Sequence, residues 1–362
     1  MLELAIILPT RNEAGNIAPL LERIEAALGE ERWEVIVVDD HSEDGTADEA
    51  RAIAVVDGRV RVIERIGRRG LASAVIEGFC ATAAPFVAVM DADHQHDPAL
   101  LADMLAVLRA NEADICIASR FARGASTNGW ADPRRERATK IANRIARAVT
   151  RVDLTDPMSG FFMLRTATAR ALAPRLSGIG FKILLDLVAT ARTPLRLTEF
   201  PLQFSARRQG ASKLDRAVAF DFLAGLYDRL LGRVIPTRFA LFGTVGALGV
   251  LVHYAVLLAL HSGMDLAFWQ AQASAVLVAM SFNFWLNNWL TYGDRRLSGA
   301  RELIAGWAGF CLACAVGALA NVALATFLEA GGVHYALAAM AGILAGSVWN
   351  FALSSRFVWG RF

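Results

Sequence analysis

The chain has 362 residues, with 37 Lys and Arg against 35 Asp and Glu and 55% hydrophobic residues. That length allows two domains; a net charge of +2 says little about partners, and no nucleic-acid partner is expected. The charge is unevenly spread: six of the basic and four of the acidic residues lie after residue 235, so an ordinary charged globular domain precedes an apolar last third.

Met1 runs almost at once into the strand-like run 4–8, with no basic flank or small-residue cleavage site. No signal peptide is expected, and the globular domain should stay in the cytoplasm. Further strand-like runs stand at 34–38, 60–64, 86–90 and 114–118, with helical patterns near 15–29, 44–55, 70–83 and 98–110. This alternation predicts a mostly parallel sheet with helices on both faces. From 120 to 235 the pattern is less regular, with strands expected at 160–164 and 196–204.

The strand ends carry the chemistry. Pro9-Thr10-Arg11-Asn12-Glu13 ends the first strand, and its Asn12 and Glu13 offer polar groups that can read a nucleobase edge. Asp39 to Thr46 ends the second and suits ribose hydroxyls and a helix cap. Asp91-Ala92-Asp93-His94-Gln95-His96 follows the apolar run 86–90. Two carboxylates and an amide at alternating positions make a hard oxygen site that suits Mg²⁺ or Mn²⁺ held against a diphosphate. Ligands of open parallel α/β sheets bind beyond the carboxyl ends of the strands, so two acidic strand ends indicate one nucleotide–metal site.

Residues 134–151 hold Arg134, Arg135, Arg137, Lys140, Arg144, Arg147 and Arg151 against the single acid Glu136. On a helix, Lys140, Arg144, Arg147 and Arg151 share one face and Ile141, Ile145, Ala148 and Val152 the next. That pattern fits a basic amphipathic helix on anionic lipid; a solvated charged face is the alternative. Cys80 and Cys116 sit in apolar runs and are expected in the core, while Cys311 and Cys314 are expected to pack within a hydrophobic segment rather than bind metal.

Four apolar stretches close the chain, near 237–260, 267–290, 303–328 and 334–355. Each exceeds the roughly 20 residues that cross a bilayer core. The first and third connectors carry no Lys or Arg, whereas the middle one carries Arg295, Arg296 and Arg301 and the C-terminus Arg356 and Arg361. Both termini and the middle loop are therefore expected on the cytoplasmic side. The region reads as two related hairpins: Phe282-Asn283-Phe284 answers Trp349-Asn350-Phe351, and Val245-Gly246-Ala247-Leu248 answers Val316-Gly317-Ala318-Leu319. Asn283, Asn287, Asn288 and Asn350 are expected to form interhelical hydrogen bonds, with a lipid-headgroup role as the alternative.

The motifs Pro9 to Glu13, Asp39 to Thr46, Gly70 to Ala74, Asp91 to His96, Ser119-Arg120, Asp156-Pro157-Met158-Ser159-Gly160-Phe161 and Gly210-Ala211-Ser212-Lys213, taken in this order, resemble the dolichol-phosphate mannose synthase group of family 2 glycosyltransferases over roughly residues 1–232. The last third resembles the GtrA-like four-helix module. The resemblance implies an α/β GT-A (Rossmann-like) nucleotide-sugar-binding domain at 1–213, juxtamembrane interfacial helices at 214–235 and a transmembrane domain at 236–362. It implies nucleotide contacts at Pro9, Arg11, Glu13, Val38, Asp40, Asp91, Ala92 and Asp93, and a Mg²⁺ or Mn²⁺ ion held by Asp91, Asp93 and Gln95. Arg120, Arg135, Thr139, Arg207 and Lys213 would take the acceptor phosphate, and Asp91, Asp93, Arg120 and Arg135 would carry the catalysis. His94 stands where relatives often have Leu and is expected to face solvent. His96 is expected to support its loop, and Asp186 to be structural.

The implied activity is metal-dependent, inverting transfer of a hexose to dolichyl or polyprenyl phosphate at the inner membrane. Mannose from GDP-mannose is the first choice and UDP-glucose the second. The rivals are transfer to a hydroxyl acceptor, a flippase for the lipid-linked sugar, and an inactive scaffold.

Overall fold

A computed structural model describes residues 2–67, 69–125, 143–144, 154–176, 183–191, 193–203, 227 and 235–360. The chain divides into two compact units, Met1–Leu230 and Leu231–Phe362.

Among the described residues of the first unit, seven strands form one sheet: β1 (Leu4–Thr10), β2 (Trp33–Asp39), β3 (Val60–Glu64), β4 (Phe86–Val89), β5 (Ile115–Ser119), β6 (Phe162–Arg165) and β7 (Leu197–Pro201). Their order is β3-β2-β1-β4-β6-β5-β7. β1 pairs parallel with β2 on one side and with β4 on the other, Ile6 lying opposite both Val35 and Ala88. The chain thus winds outward from β1 through β2 and β3, then returns to start again at β4. β6 is the one strand of the seven that runs antiparallel to its neighbours, β4 and β5. The expected mostly parallel sheet is therefore present, with an inverted strand at the irregular part of the sequence.

The helices are α1 (Ile17–Leu28), α2 (Thr46–Val56), α3 (Leu71–Ala81), α4 (Leu100–Arg109), α5 (Thr166–Leu172) and α6 (Ile183–Thr190). Side chains alternate across each strand. Leu4, Ile6 and Leu8 of β1 join α1 and α4 in one core layer, whereas Ala5 and Ile7 join α3, α5 and α6 in the other. On α1 the buried set is Ile17, Leu20, Leu21, Ile24 and Leu28, the i, i+3, i+4, i+7 stripe of an amphipathic helix. The helix stops at Gly29, whose φ of 56° is left-handed and suits a residue without Cβ. Cys116 is buried as expected, but Cys80 is exposed. Phe79 takes the inward position of α3, and the next residue lies about 100° round the helix.

The second unit contains, among its described residues, α7 (Thr237–His261), α8 (Phe268–Leu286), α9 (Ala300–Ala330) and α10 (Tyr335–Leu353). These fall on the four predicted stretches. Two of them, α7 with mean hydropathy 2.0 and α9 with 2.1, are long and apolar enough to cross a membrane. The expected count of four spans is therefore not confirmed, two meeting the length and hydropathy required among the described residues; α8 carries Gln270, Gln272 and Asn283, which lower its hydropathy.

The duplication is visible in the packing. A π-helical turn follows α8 at Asn287–Thr291 and another follows α10 at Ser354–Val358. Tyr292 and Trp359, the next residues, stack on each other with centroids 4.2 Å apart and planes 5° from parallel. Tyr292 Oη lies 2.5 Å from Ser355 Oγ, and Trp359 Nε1 donates to Asn288 Oδ1 at 3.0 Å, so each ring is hydrogen-bonded to the opposite hairpin at the matching position. A Cβ on Gly249 would lie 2.3 Å from Asn283 Oδ1, and one on Gly317 would lie 1.8 Å from Asn350 Oδ1. Space for each Asn therefore comes from a glycine on its partner helix, an arrangement that suits close helix packing in lipid. Gly317 accordingly answers Gly249, about one turn from the Gly246 that sequence matching selects. Contrary to the expected interhelical bonds, Asn288 bonds to Leu297 in the connector and to Trp359 past the helix end, Asn287 bonds within its own segment to Asn283 O and Thr291 Oγ1, and Asn283 Oδ1 and Asn350 Oδ1 have no protein partner.

In the first unit, Gly78 lets α3 approach β1. A Cβ there would meet Ile7 Cγ2 at 2.6 Å and Ile7 Cγ1 at 2.8 Å. Gly78→Val is expected to lower unfolding stability by about 1–3 kcal/mol through overpacking. Gly58→Ala, where nothing lies within 4 Å, is expected to change it by less than about 0.5 kcal/mol. Thermal denaturation of both variants checks the contrast.

Candidate active site

The winding reverses between β1 and β4, and in open α/β sheets ligands bind beyond the carboxyl ends of the strands at such a point. The loops that follow β1, β2 and β4 surround it, and these are the three loops that the sequence marked. Three of the five non-glycine residues with positive φ among the described residues stand here, one per loop: Asn12 at 54°, His41 at 53° and His94 at 65°. Such backbone is disfavoured for residues with a Cβ and collects at functional sites.

The first two loops are stitched together. Asn12 N donates to Ser42 Oγ at 2.8 Å and Glu43 N to Asn12 Oδ1 at 3.1 Å. Ahead of α1, Glu13 N donates to Thr46 Oγ1, Ala14 N to Asp44 Oδ2 and Gly15 N to Glu49 Oε2. A helix start normally offers its free N–H groups to a phosphate. Here the N–H groups just ahead of the helix are held by Asp44 of the second loop and by Thr46 and Glu49 of α2, and Ala18 N in the first turn donates to Glu49 Oε1 at 3.3 Å.

Asp39 is fully buried, accepting from Thr10 Oγ1 at 3.0 Å and Ser42 N at 2.8 Å. Asp40 is buried beside it, and Arg65, 1% exposed, donates to Asp40 Oδ1 at 2.7 Å. Gly70 N donates to Asp40 Oδ2 at 2.6 Å, and Arg65 also reaches Gly70 O and Ser73 Oγ. Burial pushes the Asp40 carboxyl above its ordinary value despite these partners. Arg11 is held below the usual arginine value, first by desolvation and then by Arg69. Of the other expected nucleotide positions, Pro9 and Val38 face each other across β1 and β2. Val38 and Ala92 point into the two core layers, which leaves their backbone for a ligand.

At the end of β4 the carboxylates differ. Asp93 is 5% exposed, and its Oδ1 accepts from Gln95 N at 3.1 Å. The Asp91 side chain is 40% exposed, with Oδ2 3.7 Å from His96 Nε2. Asp91 N donates to His96 Nδ1 at 3.0 Å, and the His96 ring stacks on Phe161 at 5.4 Å, so His96 supports the loop as expected. A Cβ on Gly160 would sit 3.0 Å from Asp91 Oδ2; the glycine leaves room for that carboxylate. His94 departs from expectation. It is 4% exposed rather than solvent-facing, with Nε2 3.1 Å from Asn16 O and Nδ1 3.4 Å from Arg23 Nη1.

The end of β5 presents Arg120. Its Nε and Nη2 donate to Asp156 Oδ2 and Oδ1 at 2.7 and 2.9 Å, the bidentate fork of an arginine–carboxylate pair. Asp156 is fully buried. Glu199 on β7 accepts from Thr155 N, Thr155 Oγ1 and Asp156 N, and so holds the turn that carries it. Asp186 pairs weakly with Thr190 Oγ1 within α6 at 3.3 Å. Arg135, Thr139, Arg207 and Lys213 lie outside the described residues, as do the basic face of 134–151 apart from Arg144 and most of the expected interfacial segment 214–235. Sequence reasoning missed Arg65 and Glu199. Glu199 carries a weak signal, a lone acid within an apolar strand; Arg65 follows the mixed Arg61 to Glu64 run and carries none.

Fold and loops together define an α/β domain with its polar site at the sheet switch point, joined to an apolar helical unit. Residues 5–172 match Glycosyl transferase family 2, and residues 241–359 match the GtrA/DPMS transmembrane domain. A dolichol-phosphate mannosyltransferase of Pyrococcus furiosus is 32% identical over 362 residues, covering 99% of both chains. Another from Saccharomyces cerevisiae is 33% identical over 67% of this chain and 92% of its own. An undecaprenyl-phosphate mannosyltransferase of Micrococcus luteus is 33% identical over 59% of this chain and 87% of its own. The chain belongs to the dolichol-phosphate mannosyltransferase group of glycosyl transferase family 2; it is a glycosyltransferase and a membrane protein.

Arg65→Met is expected to lower stability by about 3–5 kcal/mol near neutral pH, since it strands a buried carboxylate. The Asp40 pKa then rises further in the folded state. For an acid so raised, stability is greatest below the unfolded value and is lost as pH climbs through the folded one. The denaturation midpoint of the variant should therefore be higher at pH 5 than at pH 7.5, and Asp40→Asn added to Arg65→Met should remove that pH dependence.

Proposed function

We propose that the chain transfers mannose from GDP-mannose, with inversion, to the phosphate of dolichyl or polyprenyl phosphate at the cytoplasmic face of the inner membrane. The observation that carries this reading is the Asp91–Asp93 turn at the switch point, beside the start of α1. The full-length similarity to a protein named dolichol-phosphate mannosyltransferase supports the sugar and the acceptor class.

A divalent cation fits the residues present. Asp91 and Asp93 offer hard carboxylate oxygens, and Gln95 an amide oxygen. Among the described residues no group of three or more His, Cys, Asp or Glu could hold a metal ion. Mg²⁺ ordinarily takes one or two carboxylates and completes its shell with water and substrate phosphate, so a full protein cage is not needed. When bound, the ion would offset charge on the departing nucleoside diphosphate.

The rest falls to the protein. A lipid phosphate monoester has a second pKa near 6 and is mostly a dianion at pH 7, so it can attack the anomeric carbon without a general base. Two anions must be brought together, and positioning with offset of their repulsion is the main task. Arg120, its guanidinium plane set by buried Asp156, is assigned to the acceptor phosphate, with Arg135, Thr139, Arg207 and Lys213. Glu13, Arg11 and Asp40 are assigned to base and ribose, on the opposite side of the switch point.

A panel of nucleotide sugars with a short polyprenyl phosphate tests the reading. Mannolipid formation from GDP-mannose is expected; transfer only from UDP-glucose would change the donor, and transfer only to hydroxyl acceptors would reject the acceptor class. Asp93→Asn preserves an oxygen for Gln95 N while removing the charge. It should reduce turnover by at least about 100-fold in folded protein, and EDTA should do so reversibly. Full activity in EDTA would exclude the cation.

A further inference from the structure

We propose that His94 is a positioning residue that ties the Asp91–Asp93 turn to the start of α1, so that the base-side and metal-side groups share one frame. This rests on the assignment of Glu13 to the nucleobase and of Asp93 to the cation.

The ring has a defined role for each nitrogen. A backbone carbonyl can only accept, so the 3.1 Å contact with Asn16 O places the proton on Nε2. A guanidinium can only donate, so the 3.4 Å contact with Arg23 Nη1 makes Nδ1 the acceptor. Both contacts suit the neutral Nε2–H tautomer. An aliphatic side chain could fill the same buried space but could make neither bond.

Both partners belong to α1 or its cap. Asn16 precedes α1; its carbonyl also accepts from Leu20 N at 3.2 Å, and its Nδ2 donates to Glu13 Oε2 at 2.8 Å. Arg23, on the same helix, reaches on to Asp97 Oδ1 at 3.5 Å. The connection therefore runs from the Glu13 carboxylate through Asn16 to His94, which lies between Asp93 and Gln95 in the chain. Arg23 clasps the far end of the same loop. The left-handed backbone at His94 turns the ring inward to α1, away from the solvent that its loop position would give it. Partners that orient a ligand residue tune metal affinity in the way that second-layer hydrogen bonds do.

The test uses full-length protein in detergent with His94→Leu, which fills the space, and His94→Gln, whose amide N–H can again donate to Asn16 O. Amide hydrogen exchange is read first, without metal. Leu is expected to speed exchange of the 91–97 loop and of 13–16 together, and Gln to restore both. Mn²⁺ binding is then followed by electron paramagnetic resonance in the presence of GDP. Leu should weaken it about 10-fold with little change in thermal stability, and Gln should recover most of it. In a double-mutant cycle, Glu13→Gln and His94→Leu should be non-additive in Mn²⁺ affinity. Faster exchange confined to 91–97, or unchanged Mn²⁺ affinity in His94→Leu, would overturn the proposal. Loss of thermal stability with additive effects would reduce His94 to a packing residue. Failure of wild-type protein to bind Mn²⁺ with GDP would instead fail the cation assignment, and the exchange result would still decide whether the tie exists.

Discussion

The parallel pairing of β1 with β2 on one edge and β4 on the other is the constraint from which the site follows. A strand flanked by two parallel neighbours whose connections leave in opposite directions must leave a gap above its carboxyl end, because the crossover helices pack on opposite faces. β1 is buried along nearly its whole length, which secures this register. A slip of one residue would exchange the Leu4, Ile6, Leu8 set with the Ala5, Ile7 set and mismatch both core layers. The acidic turns after β2 and β4 therefore meet as a consequence of core packing.

Around that gap, buried charge is handled by pairing. Asp40 with Arg65 and Asp156 with Arg120 each place a carboxylate under cover with a guanidinium beside it. Such pairs add little net stability but make the removal of either partner expensive. Their effect is directional. Arg65 holds the end of β2 to the start of α3, and Asp156 sets the plane of Arg120. The turn ahead of α1 is tied to Thr46, Asp44 and Glu49 of the neighbouring segment, which joins the first two loops into one frame.

The helical unit obeys a different rule. Its helices are apolar on most faces, so amphipathic patterning cannot specify which sides meet. Specificity comes from small residues and a few polar atoms: Gly249 against Asn283, Gly317 against Asn350, and the reciprocal bonds that Tyr292 and Trp359 make across the stack. The repeated use of one device in two hairpins explains why short sequence matches were visible at all. It also shows why the Gly246 match was displaced, since in Ala- and Gly-rich helices a match one turn away reads almost equally well.

The amino-acid sequence determined the α/β alternation, the place of each polar strand-end loop, the division into charged and apolar parts, and the family. These depend on local periodicity and on motifs that occupy a few adjacent residues. Tertiary structure alone decided the inversion of β6, the exposure of Cys80, the pairing of Arg65 with Asp40, the support of Asp156 by Glu199, and the burial of His94. Each depends on residues 25 or more positions apart, or on which side of a helix or turn faces the core. His94 shows the reason most directly. In a polar loop, single-residue reasoning puts a histidine in water, but a left-handed backbone turns it onto Asn16 and Arg23 of a helix some seventy residues earlier. No local pattern encodes that contact, because it exists only once β1 and β4 are side by side.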